Sequence, residues 1–206
     1  MKTELLSAEH PSAIPHALDV LNHGGLIVFP TDTVYGLAAL PFQPQFIERL
    51  YIVKGRSSQK AIGILVGKQA DLDLVASVMS PLAARLAKAF WPGPLTLVVP
   101  RHPNLPFVLA PDETIGVRMP DHPVALALLR QSGPLAVTSA NLSGRENTGT
   151  AQEVLDQLRG RIHLVLDGGR VPGGVLPSTV VDCTGTQPVL LRKGPITLVV
   201  IQAALV

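Results

Sequence analysis

Short apolar runs alternate along the chain with stretches in which apolar residues recur every three to four positions. Recurrence at that spacing predicts amphipathic helices, and short β-branched runs bounded by glycine or proline predict buried strands. The predicted helices span residues 14–21, 46–54, 72–78, 82–90, 124–129 and 154–158. The predicted strands span residues 26–29, 62–66, 95–99, 114–118, 135–138, 162–166, 179–183, 189–191 and 197–201. Thr150 and Glu153 form a capping box before the last helix.

Helices and strands interleave, but the helices are too few and the strand spacing too irregular for a strict doubly wound pattern. We therefore predict an α/β fold of the mixed α+β kind, with a mixed, largely antiparallel sheet flanked by helices. The chain has 206 residues and shows neither an internal repeat nor a low-complexity linker. We expect residues 1–206 to form a single domain.

Composition narrows the functional classes. Hydrophobic residues make up 47% of the chain and charged residues 16%, which supports a substantial core and excludes intrinsic disorder. The net charge is only +2, so no sequence-independent nucleic-acid surface is predicted. The lone Cys183 and the six scattered histidines show no metal-ligand spacing. Without an export signal or a membrane segment, a cytoplasmic protein is expected.

Polar side chains follow apolar strands, where ligands of α/β folds commonly bind. Thr31, Asp32 and Tyr35 follow the first predicted strand and suit a small polar ligand. The alternative is a turn in which the hydroxyl and the carboxylate satisfy local backbone amides.

Three cations lie close together after the second predicted helix. Lys54, Arg56 and Lys60 suit a polyphosphate, because arginine offers a planar fork and lysine a mobile point charge. Cations at a helix C-terminus also complement the helix dipole, which is the alternative explanation.

A third polar stretch follows the strand predicted at residues 135–138. Ser139, Asn141 and Ser143 can offer donors to anionic oxygens, or can build a turn on their own backbone. Three further candidates are individually weak, since a single arginine is usually a solvated surface charge. These are Arg118, Ser178 and Arg192. P-loop, dinucleotide-binding and hydrolase-elbow motifs are absent from the sequence.

Six motifs, taken together and in order, resemble the YrdC-like threonylcarbamoyl-AMP synthases. They are PTDTVYGL at 30–37, the cationic residues at 54–60, WPGPLT at 91–96, VRMP at 117–120, SANLSG at 139–144 and PSTVVD at 177–182. The resemblance implies an enzyme that joins L-threonine, bicarbonate or CO2, and ATP into threonylcarbamoyl-AMP, with release of diphosphate. The product serves N6-threonylcarbamoylation of adenosine 37 in tRNA. The implied fold is a twisted mixed sheet with helices around a large concave site.

The resemblance also implies residue roles. The implied catalytic residues are Lys54, Arg56, Ser139 and Asn141. The implied ATP contacts are Lys54, Arg56, Lys60, Asn141, Ser143 and Arg192. The implied threonine contacts are Thr31, Tyr35, Arg118, Ser139 and Ser178, with Arg118 as a clamp on the carboxylate. Mg²⁺ is expected to arrive with ATP and to need no protein ligands of its own. A downstream threonylcarbamoyl-transferase complex is the implied partner.

Two departures from the family pattern stand out. Longer members add a C-terminal domain, whereas this sequence ends at Val206, so the short bacterial form is expected. Some members carry a histidine where this chain has Leu65.

Two other hypotheses remain open. One is a non-catalytic module that binds tRNA or another double-stranded RNA through phosphate contacts. The other is a paralogue with a different substrate, such as a domain that handles carbamoyl phosphate.

Overall fold

Ten strands form one mixed sheet in the computed structural model, which describes residues 2–110, 112–172 and 174–205. The strands are β1 (Glu4–Ser7), β2 (Ile27–Phe29), β3 (Gly36–Ala39), β4 (Gly63–Leu65), β5 (Leu95–Pro100), β6 (Thr114–Arg118), β7 (Leu135–Ser139), β8 (Leu164–Asp167), β9 (Thr179–Asp182) and β10 (Val189–Arg192). Their order across the sheet is β1-β8-β2-β3-β7-β4-β6-β5-β9-β10. Among the described strands, parallel and antiparallel neighbours are both present, so the predicted mixed α/β class is confirmed.

Helices cover both faces of this sheet. They are α1 (Ala13–Asn22), α2 (Pro44–Lys54), α3 (Pro81–Phe90), α4 (Pro123–Ser132), α5 (Ala151–Leu158) and α6 (Leu198–Ala203), with short 3₁₀ helices at Gln69–Leu74 and Phe107–Leu109. Val28 belongs to one buried cluster with residues of α2, α3 and α5, and its neighbour Ile27 to a second cluster with residues of α1 and α4. Because successive residues of a strand point to opposite faces, the two clusters lie on opposite sides of the sheet.

Within the described ranges, no helix combines the length and the apolar character that a membrane span requires.

Two predicted elements are wrong. The helix predicted at residues 72–78 is a 3₁₀ helix that ends at Leu74, after which Ala76 pairs with Arg101 in an isolated antiparallel bridge. The strand predicted at residues 197–201 is helix α6. The Thr197 hydroxyl accepts a hydrogen bond from the Val200 amide, and Ile201 is buried in the core. β-branched residues favour strands through packing on a sheet, and here the packing favours a helix.

Two strands, β1 and β3, were not predicted. β3 contains glycine and two alanines, which favour strands weakly, yet every residue of it is buried between β2 and β7.

The capping box before α5 is confirmed in part. The Thr150 hydroxyl accepts from the Glu153 amide, but the Glu153 carboxylate accepts from the Gly149 amide and not from Thr150.

Candidate functional site

A cavity of about 330 Å³ lies on the sheet, where polar side chains from distant parts of the chain meet. On β6 its wall is formed by alternate residues, Gly116 and Arg118, which therefore share one face, and the end of β7 contributes Val137, Thr138 and Ser139. The polar lining residues are Thr31, Thr33, Arg56, Thr96, Arg118, Thr138, Ser139, Asn147, Ser178 and Arg192.

Glycines on three strands keep the floor of this cavity bare. They are Gly36 on β3, Gly63 on β4 and Gly116 on β6. A Cβ at Gly116 would lie 3.1 Å from the Thr96 methyl, and one at Gly36 would lie 2.8 Å from a Val137 methyl. Glycine within a strand commonly marks a place where a ligand or another backbone approaches closely.

Arg118, at the end of β6, is held on three sides. Its Nε donates to the Gly93 carbonyl at 2.9 Å, one terminal nitrogen donates to the Thr33 hydroxyl at 2.9 Å, and the other donates to the Asp32 carboxylate. Burial lowers the pKa of Arg118, and the negative charge of Asp32 opposes that shift. Three of the five N–H groups are used, which leaves one on each terminal nitrogen. That pair can grip a carboxylate with two hydrogen bonds.

Ser178 and Arg192 form a second part of the wall. The Ser178 hydroxyl lies 2.7 Å from the Thr96 hydroxyl and accepts from Arg192 at 3.0 Å, and its carbonyl accepts from the Arg192 Nε. Residues before β9 and at the end of β10 are thereby tied to β5. Burial lowers the pKa of Arg192, and the nearby charge of Arg56 lowers it further.

Arg56 lies just beyond α2, whose C-cap Gly55 adopts the left-handed conformation (φ 59°) that glycine tolerates best. Its guanidinium donates to the carbonyls of Lys60 and Ala61 at 3.1 and 2.8 Å. Within the described chain these bonds use two of five N–H groups, so the remaining three are available to a ligand.

Lys54 is 2% exposed and lies behind the wall. Its Nζ donates to the carbonyls of Ser139 and Asn141 and to the Asn141 side-chain oxygen, at 2.5, 2.6 and 3.0 Å. The Ser139 hydroxyl donates to that same side-chain oxygen at 2.6 Å. Burial lowers the pKa of Lys54 to about 7, and the three oxygens favour its charged form against that effect.

Six of the predicted site residues therefore line one cavity, and five do not. Those on the wall are Thr31, Arg56, Arg118, Ser139, Ser178 and Arg192. Lys54 and Asn141 are buried behind it, and Lys60 and Ser143 are exposed outside it. Tyr35 is also off the wall. It is fully buried, its hydroxyl donates to the Gly169 carbonyl, and burial raises its pKa to about 12.

The predicted local turns are present in part. The Thr31 hydroxyl accepts from the amides of Thr33 and Val34 at 3.2 Å, whereas the Asp32 carboxylate accepts from Arg118. The Asn141 side-chain amide donates to the carbonyls of Leu142 and Arg145. Local hydrogen bonding and cavity lining coexist at Thr31, so the alternatives considered from the sequence do not exclude each other.

Several lining residues were not singled out from the sequence. Thr33 and Thr96 lie inside the motifs and Thr138 directly precedes one, which was the available signal, while Asn147 lies outside every motif. Asp32 was considered only as a ligand-orienting or turn-forming carboxylate, and its pairing with Arg118 was not foreseen. Leu65 lines the cavity as an apolar side chain. In the described part of the chain no cluster of three or more histidine, cysteine, aspartate or glutamate side chains is arranged to hold a metal ion.

Comparison with known proteins gives a consistent result. The sequence profile of the Sua5/YciO/YrdC family, described as "Telomere recombination", matches residues 19–194. The "Threonylcarbamoyl-AMP synthase" of Bacillus subtilis is 41% identical, covering 98% of this chain and 59% of that protein. Pyrococcus abyssi Sua5 "complexed with L-threonine" is similar at a TM-score of 0.93 and 36% identity, covering 99% of this chain and 61% of that one. E. coli YciO is similar at 0.84 and 29%, covering 96% and 97%. The chain thus spans about three fifths of the first two proteins.

Proposed function

The chain belongs to the Sua5/YciO/YrdC family, and from this premise we propose that it is a threonylcarbamoyl-AMP synthase. It would join L-threonine, bicarbonate or CO2, and ATP, and release diphosphate. The observation that carries the proposal is that three arginines line one cavity. Arg56 and Arg192 have unused N–H groups, and Arg118 has two that match the oxygens of a carboxylate.

Arg56 and Arg192 suit the phosphate tail of ATP. Both line the same cavity, where the charge of Arg56 lowers the pKa of Arg192 beyond the effect of burial. Neither forms an ion pair with an acid among the described residues. Two adjacent unpaired guanidinium groups favour a polyanion over a singly charged ligand.

Arg118, Ser178 and Thr31 suit the amino acid. The two unused N–H groups of Arg118 match the two oxygens of a carboxylate, and the hydroxyl groups can bond an amine or a side-chain hydroxyl. Ser139, at the end of β7, lines the cavity in strand register with Gly36, so it would position the reacting groups.

The proposed reaction needs positioning and charge stabilisation and no side-chain nucleophile. Threonine's amine adds to CO2 and loses a proton to solvent, which gives an anionic carbamate. A carbamate oxygen then attacks the α-phosphorus of ATP, the bond to the β-phosphate oxygen breaks, and diphosphate leaves with the electron pair. Arg56 and Arg192 would stabilise the charge that develops on the leaving group.

A divalent ion would accompany the nucleotide. The lining residues in the described ranges offer hydroxyl and amide oxygens and include no carboxylate. This lining suits a Mg²⁺ held by phosphates and water, with hydroxyl groups such as those of Thr138 and Ser139 as outer partners. Such an ion would neutralise part of the phosphate charge.

The product is a reactive mixed anhydride, so an enzyme that transfers the threonylcarbamoyl group must consume it. A downstream transferase complex acting on adenosine 37 of tRNA would be that partner. The buried, single Cys183 is compatible with the reduced cytoplasm that such a role requires.

Isotope-resolved product detection tests the proposal. The purified chain is incubated with ATP, L-threonine and ¹³C-bicarbonate, and the nucleotides are separated and identified by mass spectrometry. Threonylcarbamoyl-AMP carrying the label, with an equal amount of diphosphate, is expected. Diphosphate formed equally without threonine, or salt-sensitive RNA binding without any turnover, would refute it.

A further inference from the structure

Three arginines share the cavity, but among the described residues an acid faces only one of them. Arg56, Arg118 and Arg192 all line the wall. Burial lowers the pKa of Arg118, Asp32 opposes that shift, and the charge of Arg192 adds a smaller lowering. In the described part of the chain only Arg118 is paired with a carboxylate, that of Asp32.

The pair between Asp32 and Arg118 is nearly closed to solvent. The Arg118 side chain is 7% exposed and that of Asp32 10%. In such surroundings opposite charges stay paired, because an isolated buried charge is very costly. Thr33 and Gly93 fix the same guanidinium from two further directions, so Arg118 is held in place near Asp32.

Only one of the two carboxylate oxygens of Asp32 has a hydrogen-bond partner among the described residues. One carboxylate oxygen accepts from Arg118, while the other, Oδ2, is buried without a hydrogen-bond partner among the described residues. His122 lies nearby. Burial lowers its pKa, Asp32 and Asp121 raise it by smaller amounts, and its Nδ1 also lacks a partner in the described chain. A largely neutral His122 leaves the charge of Asp32 uncompensated on that side.

From this geometry we infer that Asp32 determines specificity: its charge excludes phosphate groups from the Arg118 end of the cavity and reserves that end for a singly charged carboxylate. A carboxylate gains two hydrogen bonds from Arg118 and brings one negative charge. A phosphate brings close to two and meets the buried charge of Asp32, which repels it more strongly than in water. ATP and diphosphate are thereby directed to Arg56 and Arg192.

The identity of the amino acid rests on the proposed function, but the exclusion of phosphate does not. It is tested by calorimetric titration of the full chain with inorganic phosphate. The wild-type protein is expected to bind one phosphate. Asp32→Asn, which removes the charge and keeps the shape, is expected to bind a second one, roughly tenfold or more tighter than any wild-type binding at that end. Adding Arg118→Met to Asp32→Asn should abolish the second site.

Thr33→Val is the matched control. It removes a neutral hydrogen bond to the same guanidinium and keeps the charge of Asp32, so it should bind one phosphate like the wild type. A second phosphate in this variant, or a single phosphate in folded Asp32→Asn, would overturn the inference.

A measurement on the wild type alone covers the case in which Asp32→Asn does not fold. Phosphate should displace ATP from the wild-type protein at concentrations that leave bound threonine in place. Displacement of both ligands at the same concentration contradicts the role of Asp32. A wild type that binds no threonine instead defeats the proposed function. The role of Asp32 is then decided by the phosphate stoichiometry of folded Asp32→Asn alone.

Discussion

Lys54 donates to three oxygens of residues 139–141, and its carbonyl accepts from the Ser143 amide. An ammonium group has three N–H bonds, so none remains for a phosphate oxygen. The direct phosphate contact expected for Lys54 therefore has no free donor in this structure. The residue instead fixes the loop that follows Ser139 at the end of β7.

Lys54→Met should destabilise the protein and disturb that loop. The carbonyls of Ser139 and Asn141 lose this donor, whereas the Asn141 side-chain oxygen keeps the Ser139 hydroxyl. Leaving a buried polar group unsatisfied costs about 1–3 kcal/mol. For a chain of this size each kcal/mol shifts Tm by roughly 2–4 °C. Lys60→Met, at an exposed neighbouring lysine, is the control and should leave Tm unchanged. Thermal unfolding of both variants decides, and equal Tm values would contradict the loop-fixing role.

The same variant also separates loop fixing from phosphate binding. If Lys54 contacts no phosphate, Lys54→Met should weaken AMP and ATP binding by similar factors. A loss confined to ATP would instead assign Lys54 to the phosphate tail.

At the scale of elements, Tyr35 connects the turn before β3 to the loop after β8. Its hydroxyl donates to the Gly169 carbonyl at 2.6 Å and accepts from the Gly168 amide at 3.2 Å. The family resemblance implied a threonine contact for Tyr35. In the structure it links two segments about 130 residues apart in the chain. Local sequence patterns do not predict contacts between such distant segments.

This link predicts a pH dependence. Burial raises the pKa of Tyr35 from 10.0 to about 12. A raised acid pKa means that the folded state keeps its proton longer, so the stabilisation is complete below pH 10 and is lost as the pH rises through about 12. The free energy of unfolding of the wild type should exceed that of Tyr35→Phe below pH 10, and the gap should narrow above it. Denaturant titrations across this range measure the gap, and a constant difference would contradict the link.

The strand glycines predict a separate effect on binding. Gly116→Ala adds a methyl to the cavity floor, 3.1 Å from the Thr96 methyl, and should raise the threonine KM while changing stability by only about 1 kcal/mol. Gly185→Ala, where an added Cβ meets open space, is the control. Steady-state kinetics with thermal unfolding compares them, and an unchanged KM in Gly116→Ala would contradict a ligand at the floor.

Most elements could be predicted because their apolar period is clear, as in α1, α4 and β5. The misses share a cause. β3 forms from Gly-Leu-Ala-Ala because β2 and β7 cover it, and α6 forms from β-branched residues because Ile201 enters the core. Both outcomes depend on neighbours that are distant in the sequence. The intrinsic strand or helix preference of a residue carries no information about such neighbours.

For the whole molecule, the strand order explains why scattered motifs form one site. β3, β7, β4, β6, β5 and β9 are consecutive in the sheet, so residues near 31, 56, 96, 118, 139 and 178 meet although they are far apart in sequence. The sequence motifs identified most of the residues that line the cavity, each one separately. The pairing of Asp32 with Arg118 required the order of the strands, which sequence patterns leave undetermined.

The central claim is that one cavity holds an amino acid at Arg118 and the phosphates of ATP at Arg56. Diphosphate release, measured while threonine and ATP are varied separately in Arg118→Ala and Arg56→Ala, tests it most directly. We expect Arg118→Ala to raise the threonine KM roughly tenfold or more with the ATP KM unchanged, since it removes a charged pair of hydrogen bonds. Arg56→Ala should lower turnover with ATP while leaving threonine binding intact. Turnover in both variants that matches the wild type, or diphosphate release that is independent of threonine, would contradict the account.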